Sequence, residues 1–436
     1  MQQADTIIDA RWVIPVEPSR QVLDHHSLVI AAAHIVAILP TPEAHARFVA
    51  KHTVTLGEHA LIPGLINLHA HAAMNLMRGL ADDLPLMAWL KQHIWPAEGR
   101  HVSPRFVRDG TLLACAEMLK GGITCFNDMY FFPEAVAEAV LESGMRAAIG
   151  MIVMDHPTIY ASDADAYLYK GLETRDRFAA EPSLSFTLAP HAPYTVSDKT
   201  FGKILTYAEQ LDLPIHIHLQ ETQDEIQQDL EQHQLRPLQR LQNLGLLGPN
   251  LIAVHAVHIK PDEMATLARQ GCHVAHCPAS NLKLASGIAP VTAMLAHGIN
   301  VSIGSDSAAS NNRLDLFQEM RLAALLAKGS SGQADALPAH EALRMATLNG
   351  ARALGQEERI GSLEAGKEAD IVAVRLGGVE TLPCYDVISH LVYAAGREHV
   401  THVWVRGKLV VENHSLLTLD ERQLSAQAGL WQERIR

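Results

Sequence analysis

Cysteine, aromatic residues and long apolar runs are all scarce in this chain of 436 residues. The five cysteines are odd in number and form no CxxC pair, which argues against a disulfide framework and against a thiolate zinc site. No apolar run reaches the roughly 18 residues that a membrane span needs. The N-terminal stretch MQQADTIIDA has no basic region ahead of an apolar one, so we predict no signal peptide and a cytoplasmic location.

Positive charge is scarce as well. The 35 Lys and Arg residues are outnumbered by 48 Asp and Glu, which gives a net charge of −13 with neutral histidines. Nucleic-acid-binding surfaces are usually basic, so this balance argues against nucleic acid as the main partner. We expect neither a nucleic-acid nor a membrane partner, and a small molecule as the substrate.

Histidine, by contrast, is abundant. The chain has 25 histidines, against nine Phe, eight Tyr and five Trp. Histidine is the commonest metal ligand in proteins and titrates near neutral pH. Most of these histidines would be surface residues, so their positions in the chain matter more than their number.

The two ends of the chain differ from its middle. Residues 1–60 and 361–436 contain short segments with strand-like alternation, which indicates that both ends of the chain are rich in β-strands. Residues 61–360 alternate apolar strands with helical stretches, which is the pattern of an α/β protein with a (β/α)₈ TIM-type barrel as its catalytic domain. The eight candidate strands of the barrel are 61–69, 124–129, 146–153, 184–191, 214–221, 251–258, 273–278 and 300–306.

Polar residues of the barrel region cluster where the candidate strands end, which is the face that carries the active site in barrel enzymes. His69 and His71 end the first strand, and residues two apart on a strand point to one face, so both imidazoles can reach one metal ion. His218 and Glu221 end the fifth strand, where they offer a third imidazole and a free carboxylate. We interpret the nearby His216 more simply, as a side chain that fills a layer of the barrel core.

His255 and Asp306 end two further strands. Each has a plainer alternative: His255 as a histidine of the packed core, and Asp306 as the N-cap of the following helix. Asn311 and Asn312 lie nearer to that helix, which favours Asp306 as a metal ligand.

Together these residues predict a metal centre for hydrolysis. Three imidazoles and one carboxylate suit one divalent ion, Zn²⁺ first and Fe²⁺ or Mn²⁺ next, better than Mg²⁺ or Ca²⁺, which prefer oxygen ligands. Such an ion lowers the pKa of bound water toward about 7. The zinc signature of cytidine deaminases is absent, because Cys277 and Pro278 are not followed by a second cysteine at the required spacing.

The motifs around these residues resemble those of the amidohydrolase superfamily and, within it, those of the 5′-methylthioadenosine/S-adenosylhomocysteine deaminases. They run in order along the chain as PGLINLHAHAAMNLMRGLADD, HIHLQET, AVHAVH, HCPASNLKLASGIAP, GSDSAASNNRLDLFQEMRLAALL and GSLEAGKEADIV. The resemblance implies a metal-dependent aminohydrolase that converts 5′-methylthioadenosine to 5′-methylthioinosine and ammonia. It also implies that residues 1–60 and 361–436 form one small composite β-sandwich domain beside the barrel, and that the protein is a homo-oligomer, either a dimer or a tetramer.

The same resemblance implies a role for each residue at the strand ends. Glu221 would take a proton from the attacking water and deliver it to the purine ring. His255 would orient that water, and Asp306 would assist proton transfer to the departing ammonia. The metal ligands that the resemblance implies are His69, His71, His218 and Asp306.

For the nucleoside, the resemblance implies four contacts: Trp89, Glu98, His191 and Ser310. Glu98 would accept both ribose hydroxyls, while His191 and Ser310 would contact two edges of the purine. The plainer alternatives are helix core for Trp89, a solvated first-turn acid for Glu98 and strand-end packing for His191.

The sequence departs from the resemblance where S-adenosylhomocysteine would place its amino-acid carboxylate. Family members that accept this substrate carry an arginine after the third barrel strand and another in the next loop. This chain has Met151 and Met154 at the first place, and Asp163 and Asp165 in the loop. Methionines suit a methylthio tail, although they also suit strand core. We therefore predict 5′-methylthioadenosine as the main substrate, adenosine as a secondary one and S-adenosylhomocysteine as a poor one.

Two alternative functions stay open on the sequence. Another amidohydrolase, such as a guanine or pterin aminohydrolase or a triazine chlorohydrolase, would use the same metal ligands. A catalytically silent metal-binding barrel is disfavoured, because burying a free carboxylate such as Glu221 is costly. The loops over 74–100 and 156–171 are long for βα connections, so they are candidates for closing the site.

Overall fold

The structure is a computed structural model that describes residues 1–436, and it contains two eight-stranded sheets. The strands in chain order are β1 (Gln2–Val13), β2 (Leu23–Ala31), β3 (His34–Pro40), β4 (Phe48–Pro63), β5 (Leu65–Ala70), β6 (Ile123–Asp128), β7 (Arg146–Val153), β8 (Leu184–Pro190), β9 (Ile215–Leu219), β10 (Leu251–His255), β11 (His273–His276), β12 (Asn300–Ile303), β13 (Ile371–Arg375), β14 (Val400–Val405), β15 (Lys408–Glu412) and β16 (Ser415–Leu416).

Seventeen α-helices connect or flank these strands. They are α1 (Thr41–Arg47), α2 (Leu86–Trp89), α3 (Trp95–His101), α4 (Pro104–Lys120), α5 (Pro133–Ser143), α6 (Ala164–Phe178), α7 (Asp198–Leu211), α8 (Gln223–His233), α9 (Pro237–Asn243), α10 (Pro261–Gln270), α11 (Pro278–Lys283), α12 (Val291–Ala296), α13 (Leu316–Ser331), α14 (Ala339–Met345), α15 (Leu348–Ala353), α16 (Val387–Tyr393) and α17 (Glu421–Ile435). No helix combines the length and the apolar composition that a bilayer crossing requires.

The middle of the chain forms a barrel of eight parallel strands, β5 to β12, which neighbour one another in chain order. The strands are almost wholly buried; all eight residues of β7 are inaccessible, as expected for a parallel sheet covered on both faces. The Asp306 N–H donates to the His69 carbonyl at 3.0 Å and so joins the last strand's end to the first strand. The predicted (β/α)₈ barrel is confirmed, with β5 beginning at Leu65 because residues 61–63 continue the long strand β4.

The remaining strands form one mixed sheet that draws on both ends of the chain, in the order β16-β15-β14-β13-β4-β1-β2-β3. Strand β13 pairs antiparallel with β4, so the N-terminal and C-terminal segments are joined at the centre of the sheet. One face buries an apolar cluster that includes Ile8, Leu28, Ile371 and Trp404. The composite β-rich unit expected from the two termini is therefore present.

The C-terminal helix α17 was not anticipated from the sequence. It packs against the barrel helix α4 and not on the terminal sheet: the Trp431 ring meets the Phe106 ring edge-on at 5.2 Å. The Trp431 indole N–H also donates to Asp109 at 2.9 Å. Only Trp431 and Ile435, four residues apart, are buried along this helix, so its apolar stripe is too narrow to stand out as a pattern.

A buried ion-pair cluster links the barrel to the terminal sheet. Arg146 opens β7, and its Nε atom lies 2.6 Å from Asp370 Oδ2, while its Nη2 atom contacts Glu368. The side chains of Arg146, Glu368 and Asp370 are 2%, 8% and 4% exposed. Arg359 and Arg406 also donate to Glu368, at 2.6 Å and 3.0 Å, so both carboxylates have cationic partners. These attractions hold the pKa of Glu368 at about 2, against the raising effect of burial.

We expect Arg146→Met to lower the free energy of unfolding by about 3–5 kcal/mol, because removing one partner leaves buried charges without compensation. Arg108→Met is the matched control, since the Arg108–Glu142 pair is 41% and 45% exposed; its loss should stay below about 1 kcal/mol. Urea denaturation of both variants measures the difference. Equal destabilisation by the two substitutions would contradict a bridging role for Arg146.

Candidate active site

The strand ends of the barrel bring the predicted polar residues to one face. His69 lies in β5 with His71 just after it, His218 lies in β9, and His255 ends β10. Asp306 follows the end of β12. All five residues are wholly or largely buried, so the face forms a closed group of titratable side chains.

Four of these residues direct ligand atoms at a common point. His69 Nε2 and His71 Nε2 each lie 3.3 Å from Asp306 Oδ1, and His69 Nε2 lies 3.2 Å from His218 Nε2. Tetrahedral Zn²⁺ with ligands at about 2.0–2.1 Å separates its ligand atoms by roughly 3.3 Å. The donor set and its spacing therefore fit one divalent metal ion.

Burial keeps two of the three histidine rings neutral: it lowers the pKa of His69 to about 3 and that of His218 well below the ordinary range. Burial also acts to lower the pKa of His71, but its contact with the Asp306 carboxylate outweighs burial and raises that pKa. The Nδ1 atom of His71 lies 2.5 Å from the Met129 carbonyl, and that of His218 lies 2.8 Å from the His191 carbonyl. A carbonyl only accepts hydrogen bonds, so each Nδ1 carries the proton and each Nε2 keeps its lone pair for a metal.

Asp306 is oriented by two serine hydroxyls. Ser280 and Ser310 both donate to Oδ2, at 2.5 Å and 2.8 Å, which leaves Oδ1 facing the histidines. The alternative role of Asp306 as a helix N-cap is wrong, because Asp315 caps α13 by accepting from the Phe317 and Gln318 N–H groups.

Glu221 and His255 lie beside these four residues, and His255 is close enough to His69 and His218 for the three to form a second possible ligand group. Their side chains approach to 3.7 Å between Oε2 and Nε2, and Glu221 Oε1 accepts from the Ser286 hydroxyl at 3.1 Å. His255 Nδ1 in turn lies 2.9 Å from Asn281 Oδ1. Burial raises the pKa of Glu221, although the neighbouring His255 works in the opposite direction. A carboxyl with a raised pKa can both accept and release a proton near neutral pH.

The backbone at these strand ends is strained. Gln220, His255 and Asp306 adopt left-handed conformations, with φ of 52°, 71° and 59°. Such conformations cost of order 1–3 kcal/mol for residues other than glycine and persist only where the surroundings enforce them. At Gln220 the enforcing group is Glu225, whose carboxylate accepts from the N–H groups of Gln220 and Glu221, both at 2.8 Å. The strained backbone therefore lies at the strand ends that position the side chains of the site.

A cavity of about 650 Å³ opens from this group of residues. Its wall includes all four residues predicted for nucleoside contacts: Trp89, Glu98, His191 and Ser310. Glu98 accepts a 2.7 Å hydrogen bond from the Tyr130 hydroxyl, and burial raises its pKa to about 7. Burial lowers the pKa of His191 to about 3, so that ring is neutral. The Ser310 hydroxyl donates its proton to Asp306, so it can only accept a hydrogen bond from a ligand.

The prediction for Met151 needs correction. Its side chain packs toward Gly171 of α6, and it does not line the cavity. Successive side chains of a strand point to opposite faces, so Ile152 reaches the cavity instead, and Met154, just past the end of β7, does so as well. Asp163 caps α6 and so takes part in local helix structure.

Several residues of the site were not singled out from the sequence. Tyr130, which holds Glu98, follows β6, and its position just past a strand end was the available signal. Ser280, Asn281 and Ser286 all fall within the motif HCPASNLKLASGIAP, but their partners are far away in the chain. These contacts form only when the barrel brings distant segments of the chain together, and local sequence patterns do not predict such contacts.

Comparison with known proteins agrees with this geometry. The profile of the Amidohydrolase family matches residues 60–410. A 5-methylthioadenosine/S-adenosylhomocysteine deaminase from Saccharophagus degradans is 48% identical over 99% of this chain and 97% of its own length. The same-named protein from Teredinibacter turnerae is 45% identical over 99% and 98%. The crystal structure of an adenosine deaminase from Xanthomonas campestris with bound zinc is 47% identical, covers 100% of this chain and 99% of its own, and has a TM-score of 0.99.

Proposed function

The chain belongs to the amidohydrolase family, and we propose that it deaminates adenine nucleosides hydrolytically, with 5′-methylthioadenosine as its main substrate. The observation that carries the proposal is the carboxylate of Glu221, buried beside the ligand atoms of His69, His71, His218 and Asp306 in the wall of a cavity of about 650 Å³. We infer the substrate from the names of the similar proteins and from the residues that line the cavity. The reaction replaces the purine amino group with oxygen and releases ammonia.

The chemistry divides among three residues of the chain. His69, His71, His218 and Asp306 would hold a divalent ion, for which Zn²⁺ suits the donors best, and the bound ion would lower the pKa of water so that a nucleophile is available at neutral pH. Glu221 accepts the proton of the attacking water and passes it to the ring nitrogen beside the amino-bearing carbon. His255 holds the water in line, and Asp306 assists the proton transfer that lets ammonia leave.

The environment of Glu221 suits this double role. A group that first accepts and then donates a proton works best when its pKa lies near the working pH. Burial moves the pKa of Glu221 upward, and the Ser286 hydroxyl and His255 limit the rise. The N–H bonds to Glu225 keep the loop in place while the charge on Glu221 changes.

The cavity wall suits the rest of the nucleoside. Glu98 is fixed by Tyr130 and can accept hydrogen bonds from both ribose hydroxyls. His191 is neutral and can meet the purine edge, and Trp89 supplies an aromatic face.

The rest of the cavity wall supports the proposed preference for a methylthio tail. Ile152, Met154 and Phe131 line the cavity, and no arginine does. Lys91 and His156 are basic residues of this wall, but neither offers the planar fork with which arginine binds a carboxylate. A carboxylate placed against apolar side chains without a partner is strongly disfavoured, whereas a methylthio group is not.

Glu221→Gln should keep the metal and lose about 10²–10⁴-fold in kcat on 5′-methylthioadenosine, because the amide cannot shuttle a proton. Asp224→Asn is the matched control, since Asp224 is an exposed carboxylate three residues further on; its kcat should stay within about twofold of wild type. Ammonia release with zinc content measured in parallel checks both. A Glu221→Gln variant of full activity would contradict the assigned role.

Glu98→Ala should raise KM for nucleosides by about 10- to 100-fold, as expected when hydrogen bonds to a charged group are lost. It should leave any slow turnover of free adenine unchanged, because that substrate has no ribose. Steady-state kinetics on both compounds make the comparison. Unaltered nucleoside kinetics would instead favour another amidohydrolase reaction at the same metal centre.

The purified enzyme should prefer 5′-methylthioadenosine to S-adenosylhomocysteine by at least about 100-fold in kcat/KM, which corresponds to about 2.7 kcal/mol for an unpaired charged tail. Adenosine should fall between them. Ammonia release from the three substrates under identical conditions measures the order. Comparable efficiency on all three would keep the deaminase assignment but disprove the argument from the missing arginines.

A further inference from the structure

The ring of His216 is buried in the barrel beside the metal ligands. The residue lies in β9, two positions before His218, and its exposed fraction is 0%. Its Nε2 atom lies 2.9 Å from His69 Nδ1, and no side chain is hydrogen-bonded to its own Nδ1. His69 is therefore the only side chain with which this imidazole shares a hydrogen bond.

The direction of this hydrogen bond follows from the ligand group. His69 Nε2 faces Asp306 and His218 at 3.3 Å and 3.2 Å, so its lone pair is directed at the common point of the ligands. A neutral imidazole has one N–H, which for His69 must then be on Nδ1. His69 Nδ1 donates, and His216 Nε2 accepts.

We infer that His216 is a positioning residue for His69, whose Nδ1–H it accepts so that His69 Nε2 is aimed at the metal ion. The inference rests on the metal centre of the proposed function and goes beyond it. The other two histidine ligands receive this support from backbone carbonyls, of Met129 and His191. Only His69 forms this hydrogen bond with a side chain, so its contribution to metal binding can be tested by substituting His216.

The plainer interpretation of His216, as a filler of a barrel layer, makes a different prediction. A filler can be replaced by any side chain of similar size, because packing alone matters. A hydrogen-bond acceptor can be replaced only by another acceptor that reaches the same place. Glutamine meets this requirement, since its Oε1 is as many bonds from Cβ as the histidine Nε2, whereas asparagine is one bond too short.

The test compares the Zn²⁺ dissociation constants of His216→Met, His216→Gln and His216→Asn, measured by competition with a chromogenic chelator. Loss of such an outer partner typically weakens metal binding about 10- to 100-fold, which we expect for His216→Met and His216→Asn. His216→Gln should remain within about threefold of wild type. Should His216→Met fail to fold, the two amide variants still decide the question.

His276→Met is the matched control. His276 lies in β11, two strands away from His216 in the same barrel, and is 2% exposed. Its Nδ1 also lacks a side-chain partner, but it has no hydrogen bond to a metal ligand. This variant should bind Zn²⁺ as wild type does. Equal weakening in His276→Met and His216→Met, or wild-type affinity in His216→Asn, would overturn the inference. Failure of the wild-type protein to bind Zn²⁺ would instead overturn the metal centre itself.

Discussion

The close approach of four possible ligand atoms is the constraint on which the rest of the site depends. Asp306 Oδ1 lies 3.3 Å from both His69 Nε2 and His71 Nε2, and His218 Nε2 lies 3.2 Å from His69 Nε2, at the inner end of the cavity. A cation that contacts these atoms together compensates the cost of burying them. The barrel holds them there by fixing the far side of each group: carbonyls behind His71 and His218, and hydroxyls behind Asp306. The site is thus prepared for the metal by the protein's own hydrogen bonds.

The proton-transfer residues are kept apart from this rigid group. Glu221 lies on the loop after β9, where its position depends on the Glu225 carboxylate below it and on Ser286 beside it. Both contacts tolerate a change of charge at Glu221, because a backbone N–H and a hydroxyl stay hydrogen-bonded in either state. His69 and His218 therefore lie within strands and His71 and Asp306 just past strand ends, whereas Glu221 lies on a loop with adjustable partners.

The sequence predicted the parts of the structure that follow from local periodicity. The barrel strands alternate with helices at regular intervals, and the histidines two apart on β5 reveal a shared face, so the barrel and its ligand residues could be located. Met151 was misplaced because a one-residue error in side-chain parity reverses the face of a strand. The bond from Tyr130 to Glu98, the serines behind Asp306 and the position of α17 join distant segments, and no local pattern encodes such contacts.

We propose that substrate choice in this architecture is set by what the outer wall lacks. The purine and the ribose are common to every adenine nucleoside, so the residues that would meet them cannot separate these substrates. Discrimination would then arise where the tails differ, along Ile152, Met154 and Phe131 of the cavity wall. An apolar wall gains little by binding a methylthio group, but it strongly disfavours an amino-acid tail, whose carboxylate would lose its water there. Selectivity that arises from exclusion of the charged tail does not involve the metal ligands. Substitutions in this wall can therefore change the substrate preference without disturbing the metal centre.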